Sequence, residues 1–236
     1  MSETNDTSYS IKISLDNETL TTLKTGGYTL YAFRAVKAPG GSLPVIWQSI
    51  PKYFNDIEID WTVSYGAYIS STTIKPGVVI KTSSKAKMEL GSKYVIDNKG
   101  IPSIKTGGPD RSITITNHET IALTCGICEV VDEDFRPLCA SPVLSGFSDV
   151  IEPIQKIALI FATPVKVTST VIQYSLGPGV LLDVTKFHNR KVDFTMGDSN
   201  EAKWIPDPNE GNYILFDSDS DISPLLINPD SAPQAF

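Results

Sequence analysis

The amino-acid sequence predicts an all-β protein made of two tandem, duplicated antiparallel β-sandwich units with short Gly/Pro-rich turns. Many short segments alternate apolar and polar residues, with the period of two that a half-buried strand requires. Gly, Pro and Asn interrupt the chain roughly every ten residues, a spacing typical of sandwiches. No segment of about eleven residues repeats its apolar positions with helical spacing.

The first unit, residues 1–108, supplies the clearest strands. Residues 9–15 alternate strictly, and residues 57–63 place Trp61 on the apolar side, where it should enter the core. Residues 28–36 and 45–47 also have strand composition, and residues 16–18 predict a turn. The stretch 61–90 predicts two strands joined at the Pro-Gly turn of residues 75–78.

The second unit, residues 109–216, follows a Gly- and Pro-rich linker at residues 98–109. Its predicted strands are residues 112–115, 125–131, 157–161, 165–174, 192–196 and 212–216. Residues 217–236 contain no Lys or Arg, three prolines and repeated Asp and Ser. This composition predicts an acidic, Pro-containing and mostly unstructured tail.

Short similar segments recur at nearly constant spacing. Residues 10–13 resemble residues 112–115, and residues 75–78 resemble residues 177–180, both at a spacing of 102. Because several anchors share one spacing, the pattern predicts that the second unit duplicates the first.

The charge is unevenly distributed along the chain. The total is −7, with +3 on residues 1–108 and −10 on residues 109–236. The acidic second half disfavours nucleic acid as a partner, because phosphate binding requires clustered positive charge. The polar first residues lack the apolar run of a secretory signal, no run is long enough for a membrane helix, and three cysteines are too few for a disulfide scaffold. Together they predict a cytoplasmic protein with reduced thiols.

Three cysteines and one histidine are the strongest candidates for a metal-binding site. Cys125 and Cys128 form a CxxC pair, and Cys139 and His118 complete the donor types of a tetrahedral zinc site. A CxxC pair can also be a redox couple. However, residues 123–131 read as a strand, in which positions i and i+3 point to opposite faces. The sequence therefore favours ordinary strand cysteines.

Nucleophilic catalysis requires a nucleophile, a base and an orienting group. The only histidines, His118 and His188, both lie in loop-like segments, and no Gly-x-Ser-x-Gly elbow occurs. Asp183 and Asp193 would be their candidate partners in an enzyme assembled from distant loops. No nucleotide-binding or HExxH pattern occurs either, so no cofactor is predicted.

Residues 217–221 alternate Asp and Ser like the opening of a calcium loop, but the Gly and the terminal Glu of an EF-hand are missing. A solvated acidic segment is the favoured interpretation.

Basic and aromatic residues of the first unit suggest a ligand-binding surface. Lys81, Lys85 and Lys87 share one strand face by period two and could bind an anionic headgroup. Their alternative role is to keep an exposed strand soluble. Tyr53, Tyr65 and Tyr68 would form a carbohydrate platform if they lie on loops, or core if they lie in strands.

The sequence favours a non-enzymatic binding or interaction protein that recognises a glycan, an anionic headgroup or a protein partner through its first unit. An enzyme built around His118 and His188 is the alternative. A membrane-active toxin, using the alternating residues 63–74 and 165–174 as a hairpin, and a self-associating homo-oligomer are further alternatives.

Overall fold

The computed structural model describes residues 7–131, 133–196 and 201–229. Strands account for 53% of the chain and helices for 8%, which confirms the all-β prediction. Within the described residues, none of the helices has the length and apolarity required to cross a membrane.

The described chain contains eighteen strands and two short α-helices. In chain order the strands are β1 Ser8–Leu15, β2 Thr29–Lys37, β3 Leu43–Pro44, β4 Gln48–Ile50, β5 Asp56–Thr62, β6 Tyr65–Ser70, β7 Ser84–Lys87, β8 Ser92–Ile96, β9 Pro102–Thr106, β10 Ile113–Asn117, β11 Leu123–Val131, β12 Asp134–Pro137, β13 Cys139–Val143, β14 Ser148–Ala162, β15 Gly179–Asp183, β16 Asn189–Met196, β17 Ala202–Pro206 and β18 Tyr213–Phe216. The helices are α1 Asn17–Thr25 and α2 Ser223–Leu226.

The strands form three sheets. The four-stranded sheet has the order β17-β16-β1-β5. The eight-stranded sheet has the order β18-β15-β14-β10-β8-β9, with β2 paired to β14 and β4 paired to β2. The six-stranded sheet has the order β3-β13-β11-β6-β7, with β12 paired to β11.

The arrangement of two tandem sandwich units is not confirmed, because every sheet combines strands from before and after residue 108. β1 pairs with β16, β2 with β14, and β6 with β11. The repeated anchors also differ locally, since residues 75–78 form a turn whereas residues 179–180 lie in β15. Similar short segments therefore serve different structural roles here.

Helix α1 replaces the turn predicted at residues 16–18, and that prediction was wrong. The side chain of Asp16 caps the helix by accepting a hydrogen bond from the Thr19 amide at 2.7 Å. Thr19 and Leu23 form the buried side of the helix. At nine residues it is too short to show a sustained helical period in the sequence.

The predicted Pro-Gly turn at residues 75–78 is present, although the continuous strands around it are not. The Val78 amide donates to the Lys75 carbonyl at 3.1 Å, and Gly77 has the positive φ of +84° that this turn requires. β6 and β7 pair with each other, while the turn between them contacts another loop. Gly77 donates to the Val171 carbonyl and Val171 donates to the Val78 carbonyl, both at 2.8 Å.

The described part of the predicted tail, residues 217–229, packs on the body, so an unstructured tail is wrong for these residues. Ile222 and Leu226 are buried in an apolar cluster with strand residues of the eight-stranded sheet. Asn228 exchanges two hydrogen bonds with the backbone of Ala38, at 2.8 and 3.0 Å. Apolar side chains and this amide hold the segment despite its acidic composition. Residues 230–236 lie outside the described part.

The main core joins inward-facing residues of all three sheets. On β5 the residues alternate between exposed and buried as the sequence predicts, and Trp61 is buried as expected. Trp47 and Trp61 meet edge to face at 5.5 Å between ring centroids. Both tryptophan rings also contact Arg34, a charged residue inside the core.

Candidate functional site

A fully buried ion pair joins β2 to β11. One guanidinium nitrogen of Arg34, Nη1, lies 3.0 and 3.1 Å from the two carboxylate oxygens of Glu129. Both side chains are completely inaccessible to solvent. Removing two charges from water costs several kcal/mol per ion, so such a pair persists only with close contacts and further hydrogen bonds.

Neighbouring side chains from other strands supply those further contacts. Arg34 Nη2 donates to the Gln155 side chain at 2.9 Å, and Gln155 in turn donates to the Tyr65 hydroxyl at 2.9 Å. Gln155 lies where the register of β14 against β2 shifts between Ile154 and Ile157, an irregularity that re-aims side chains.

The tryptophan rings complete the enclosure of the guanidinium. Its central carbon lies 4.7 Å from the Trp61 ring centroid and 5.3 Å from that of Trp47, within the range of a cation–π interaction. Burial raises the pKa of the Glu129 carboxyl, and the charge of Arg34 opposes this rise. Burial also raises the pKa of Tyr65. Arg34, Glu129, Gln155 and Tyr65 together form a buried polar centre.

An open cleft of about 510 Å³ adjoins this centre, a volume within the range of ligand sites. Its aromatic part is Tyr9 and Trp61, whose rings stack at 5.2 Å. Opposite them lie Val130 and Val131, which directly follow Glu129 on β11. The remaining lining residues are Ser8, Ser10, Asp60, Thr62 and Asn189.

Strand register explains how the polar lining residues come together. Ser10 on β1 lies opposite Asp60 on β5 and opposite Asn189 on β16, so the three form one row across the four-stranded sheet. Directly opposed residues share a face of a sheet, and their neighbours Tyr9 and Trp61 therefore occupy the other face. Because residues of both faces line the cleft, it surrounds the ends of these strands.

The structure does not place the three candidate tyrosines on a surface, and the predicted aromatic platform is corrected accordingly. Tyr53, Tyr65 and Tyr68 are all buried. The Tyr53 hydroxyl donates to the Tyr28 carbonyl at 2.9 Å, and the Tyr68 hydroxyl donates to the Cys139 carbonyl at 2.6 Å. Burial raises the pKa of Tyr53 to about 12. Tyr65 belongs to the polar centre, beneath the cleft rather than in its lining.

Lys81, Lys85 and Lys87 are exposed. Lys85 and Lys87 share one face of β7, an edge strand, whereas Lys81 lies in the preceding loop. The Lys85 ammonium lies 4.8 Å from the Phe135 ring centroid, which fixes its position.

The positions of Cys125 and Cys128 agree with the prediction that residues 123–131 form a strand. Cys125 and Cys128 lie on β11 and enter two different apolar clusters, as expected for opposite strand faces. All three thiols are free and buried, and burial raises their pKa, that of Cys139 to about 12. Within the described residues no group of three metal-binding side chains forms, and His118 does not join the cysteines in one.

The two histidines are both exposed, His118 directly after β10 and His188 directly before β16, which belong to different sheets. The backbone of His118 pairs with Ile96 on β8, and the backbone of His188 pairs with Ser10 on β1. Neither forms an ion pair with a carboxylate in the described part of the chain, Asp183 and Asp193 included. The His188 ring does contact Tyr9, at 4.6 Å, beside the cleft.

Residues 217–221 form a turn whose oxygens are used internally. The Asp221 carboxylate accepts from the Ser223 amide at 2.9 Å at the start of α2. The Ser175 amide donates a hydrogen bond to the Ser220 carbonyl, and the Asp219 amide donates one to the Ser175 carbonyl.

Sequence reasoning missed the polar centre and its cleft. An arginine inside the apolar strand segment TLYAFRAVK and a glutamate inside LTCGICEVV are the available signals. A charged residue within a fully buried strand requires a partner.

Comparison of the chain with protein-family models, with curated proteins and with solved structures finds no match. The functional interpretation therefore depends on this chain's own residues.

Proposed function

We propose that this chain is a non-enzymatic binding protein that takes a hydroxyl-rich ligand of the glycan class in the cleft beside Tyr9 and Trp61. The observation that carries this proposal is the row of Asp60, Ser10 and Asn189 at the mouth of that cleft. A carboxylate, a hydroxyl and an amide in one row offer the acceptors and donors that neighbouring sugar hydroxyls require.

The surroundings favour binding over catalysis. The two opposite charges of the polar centre are paired with each other beneath the cleft, and the exposed histidines have no carboxylate partner among the described residues. A buried, hydrogen-bonded base supports a preformed site, because little conformational entropy is then lost on binding. Asp60 and Asn189 are exposed, so they can meet a ligand without rearrangement of the core.

The test is a glycan-array screen followed by calorimetric titration of any glycan that binds. Asp60→Asn and Asn189→Ala are expected to weaken binding about tenfold each, because each removes a ligand hydrogen bond of roughly 1.5 kcal/mol. Asp110→Asn, an exposed carboxylate outside the cleft, is the matched control and should bind normally. Glycan binding that survives both cleft substitutions would overturn the proposal.

A second candidate function is recognition of an anionic headgroup by Lys81, Lys85 and Lys87. The specific observation is their joint exposure, with Lys85 held against Phe135. Vesicles containing phosphatidylserine should sediment the protein, and Lys85→Glu should reduce the bound fraction more than Lys203→Glu, an exposed lysine on β17. Equal binding by both variants would reject this surface.

A further inference from the structure

One edge of the eight-stranded sheet is unprotected. β18 ends the strand order and consists of four apolar residues, Tyr213–Phe216. Tyr213, Ile214 and Leu215 are 40%, 46% and 51% exposed, so both faces of the strand present apolar surface. Proteins normally protect such edges with charges, prolines or bulges, because free backbone groups and apolar side chains pair readily with another chain.

Several other edge strands of the described chain carry such protection. β5 exposes the acidic residues Asp56, Glu58 and Asp60. β7 exposes lysines, and β17 contains Lys203 and ends at Pro206. β18 has no charged residue and no proline. β18 is therefore the least protected of these four edges.

A buried arginine holds β18 in place. Arg190 Nη1 donates to the Asp183 carbonyl at the end of β15 and to the Asn212 carbonyl just before β18, at 2.9 and 3.1 Å. β18 also pairs along its length with β15. The edge is therefore preorganised, which lowers the entropic cost of adding a strand to it.

The opposite end of the strand order, β9, has the opposite charge. Lys105 on β9 lies directly across from Lys93 on β8, and like charges in this position destabilise a sheet. Ile101 and Ile104 are 59% and 51% exposed beside these lysines. The β9 edge thus combines apolar surface with positive charge that no carboxylate of the described residues pairs.

Acidic residues border β18. Asp217 and Asp219 are exposed in the turn that follows it. The ion pairs within the described residues are Lys12–Asp56, Arg34–Glu129 and Arg111–Glu152, so none neutralises these aspartates or Lys93 and Lys105. The two ends of one sheet therefore carry complementary charges and comparable apolar surface.

We propose that the β18 edge of one molecule binds the β9 edge of a second copy of this chain, which extends the eight-stranded sheet from molecule to molecule. Pairing β18 with itself would bring two acidic turns together, and pairing β9 with itself would bring four lysines together. The mixed pairing brings the lysines of the β9 edge towards the acidic turn that follows β18, and the exposed isoleucines beside β9 towards the apolar residues of β18. Such a contact is heterologous, so it produces a ring or an open chain rather than a two-fold dimer.

Two variants, each blocking one edge, test this assembly. Lys105→Glu reverses the charge of the β9 edge, and Leu215→Asp places a carboxylate in the apolar part of the β18 edge. Wild-type protein is expected to form species larger than a dimer as its concentration rises in analytical ultracentrifugation. Each variant alone is expected to lose at least about tenfold in association affinity, since burying one unpaired charge costs several kcal/mol. Their equimolar mixture is expected to form a capped dimer, because one intact edge of each kind remains.

Matched controls separate this contact from general effects. Lys87→Glu makes the same charge change on the protected β7 edge, and Leu144→Asp makes the same apolar-to-acid change at an exposed loop position. Both should associate like the wild type. Circular dichroism checks that each variant is folded, and the capped dimer itself requires both to be folded.

Three results would overturn the proposal. The first is a monomer at every concentration of the wild type. The second is loss of association by Leu215→Asp while Lys105→Glu still forms dimers, which would mean that β18 pairs with itself. The third is a mixture of the two folded variants that stays monomeric.

Discussion

Among the described residues two carboxylates are buried, and they are stabilised in different ways. Glu129 is fully inaccessible and forms an ion pair with Arg34. Asp149, on β14, is 7% exposed and accepts a hydrogen bond from the Ser141 hydroxyl at 3.0 Å, with the Cys125 thiol at 3.7 Å. Among the described residues no cation pairs with it.

Glu129 is thus stabilised by a neighbouring charge, whereas Asp149 is stabilised by neutral hydrogen-bond donors. For both carboxyl groups burial raises the pKa, but Arg34 opposes this at Glu129, whereas only hydrogen bonds from Ser141 and Cys125 oppose it at Asp149. Glu129 thus depends on one cation, and Asp149 on a small hydroxyl network that continues from Ser141 to Ser42 at 2.8 Å. The comparison indicates that removing the cation costs more than removing a hydroxyl.

The largest effect is expected from Arg34→Met. This change leaves Glu129 buried without its cation and should lower the free energy of unfolding by about 3–5 kcal/mol. Without Arg34 the pKa of Glu129 rises further, so the loss should be greater near neutral pH than near pH ~4, where unfolded carboxyls begin to take up protons. Urea unfolding of wild type and variant at the two pH values measures both differences.

The double variant Arg34→Met/Glu129→Leu is the control for this pair. With both charges gone no unpaired ion stays buried, and most of the lost stability should return. If the double variant is as unstable as Arg34→Met, the two residues contribute through packing and not through charge.

A smaller loss of folding stability is expected from Ser141→Ala. Asp149 would lose its closest donor, and the unfolding free energy should fall by about 1–3 kcal/mol. Ser83→Ala, at an exposed serine, should change it by no more than about 0.5 kcal/mol. Thermal unfolding of the two variants side by side gives the comparison, and equal midpoints would show that the hydroxyl network does not support Asp149.

The sequence predicted elements in which one face is buried, because alternation then appears in the residue types. β1 and β5 were found this way, and Trp61 was placed correctly in the core. β6 is buried on both faces, so its residue types do not tell which way Tyr65 and Tyr68 point. Helix α1 was missed, although Asp16 as N-cap followed by Leu20 and Leu23 was a readable signal.

The candidate cleft and the polar centre could not be assembled from the sequence. Arg34 and Glu129 are 95 positions apart, and Arg34 and Gln155 are 121 apart. Ser10 meets Asn189 only because β1 pairs in parallel with β16. Pairings over such distances depend on sheet topology, which local periodicity does not encode. The shared strand face of Lys85 and Lys87 needed only local alternation and was predicted, whereas Lys81, predicted on the same face, lies in a loop.

The smallest effect, and the only stabilising one, is expected from Asp149→Asn. Because burial raises the pKa of Asp149 in the folded protein, the protonated form is favoured there. Protonated Asp149 therefore contributes to folding stability below the unfolded pKa of about 3.9, and this contribution is lost as pH rises through the folded pKa. The asparagine variant carries no charge to bury and can still accept the Ser141 hydrogen bond. Near neutral pH its free energy of unfolding should therefore exceed that of wild type by on the order of 1 kcal/mol, and below pH ~4 the gain should vanish.

Urea unfolding across this pH range measures the difference, with Asp110→Asn as the exposed control. A gain that is independent of pH would mean that the Asp149 charge is compensated in the folded protein, and the distinction between the two carboxylates would then fail.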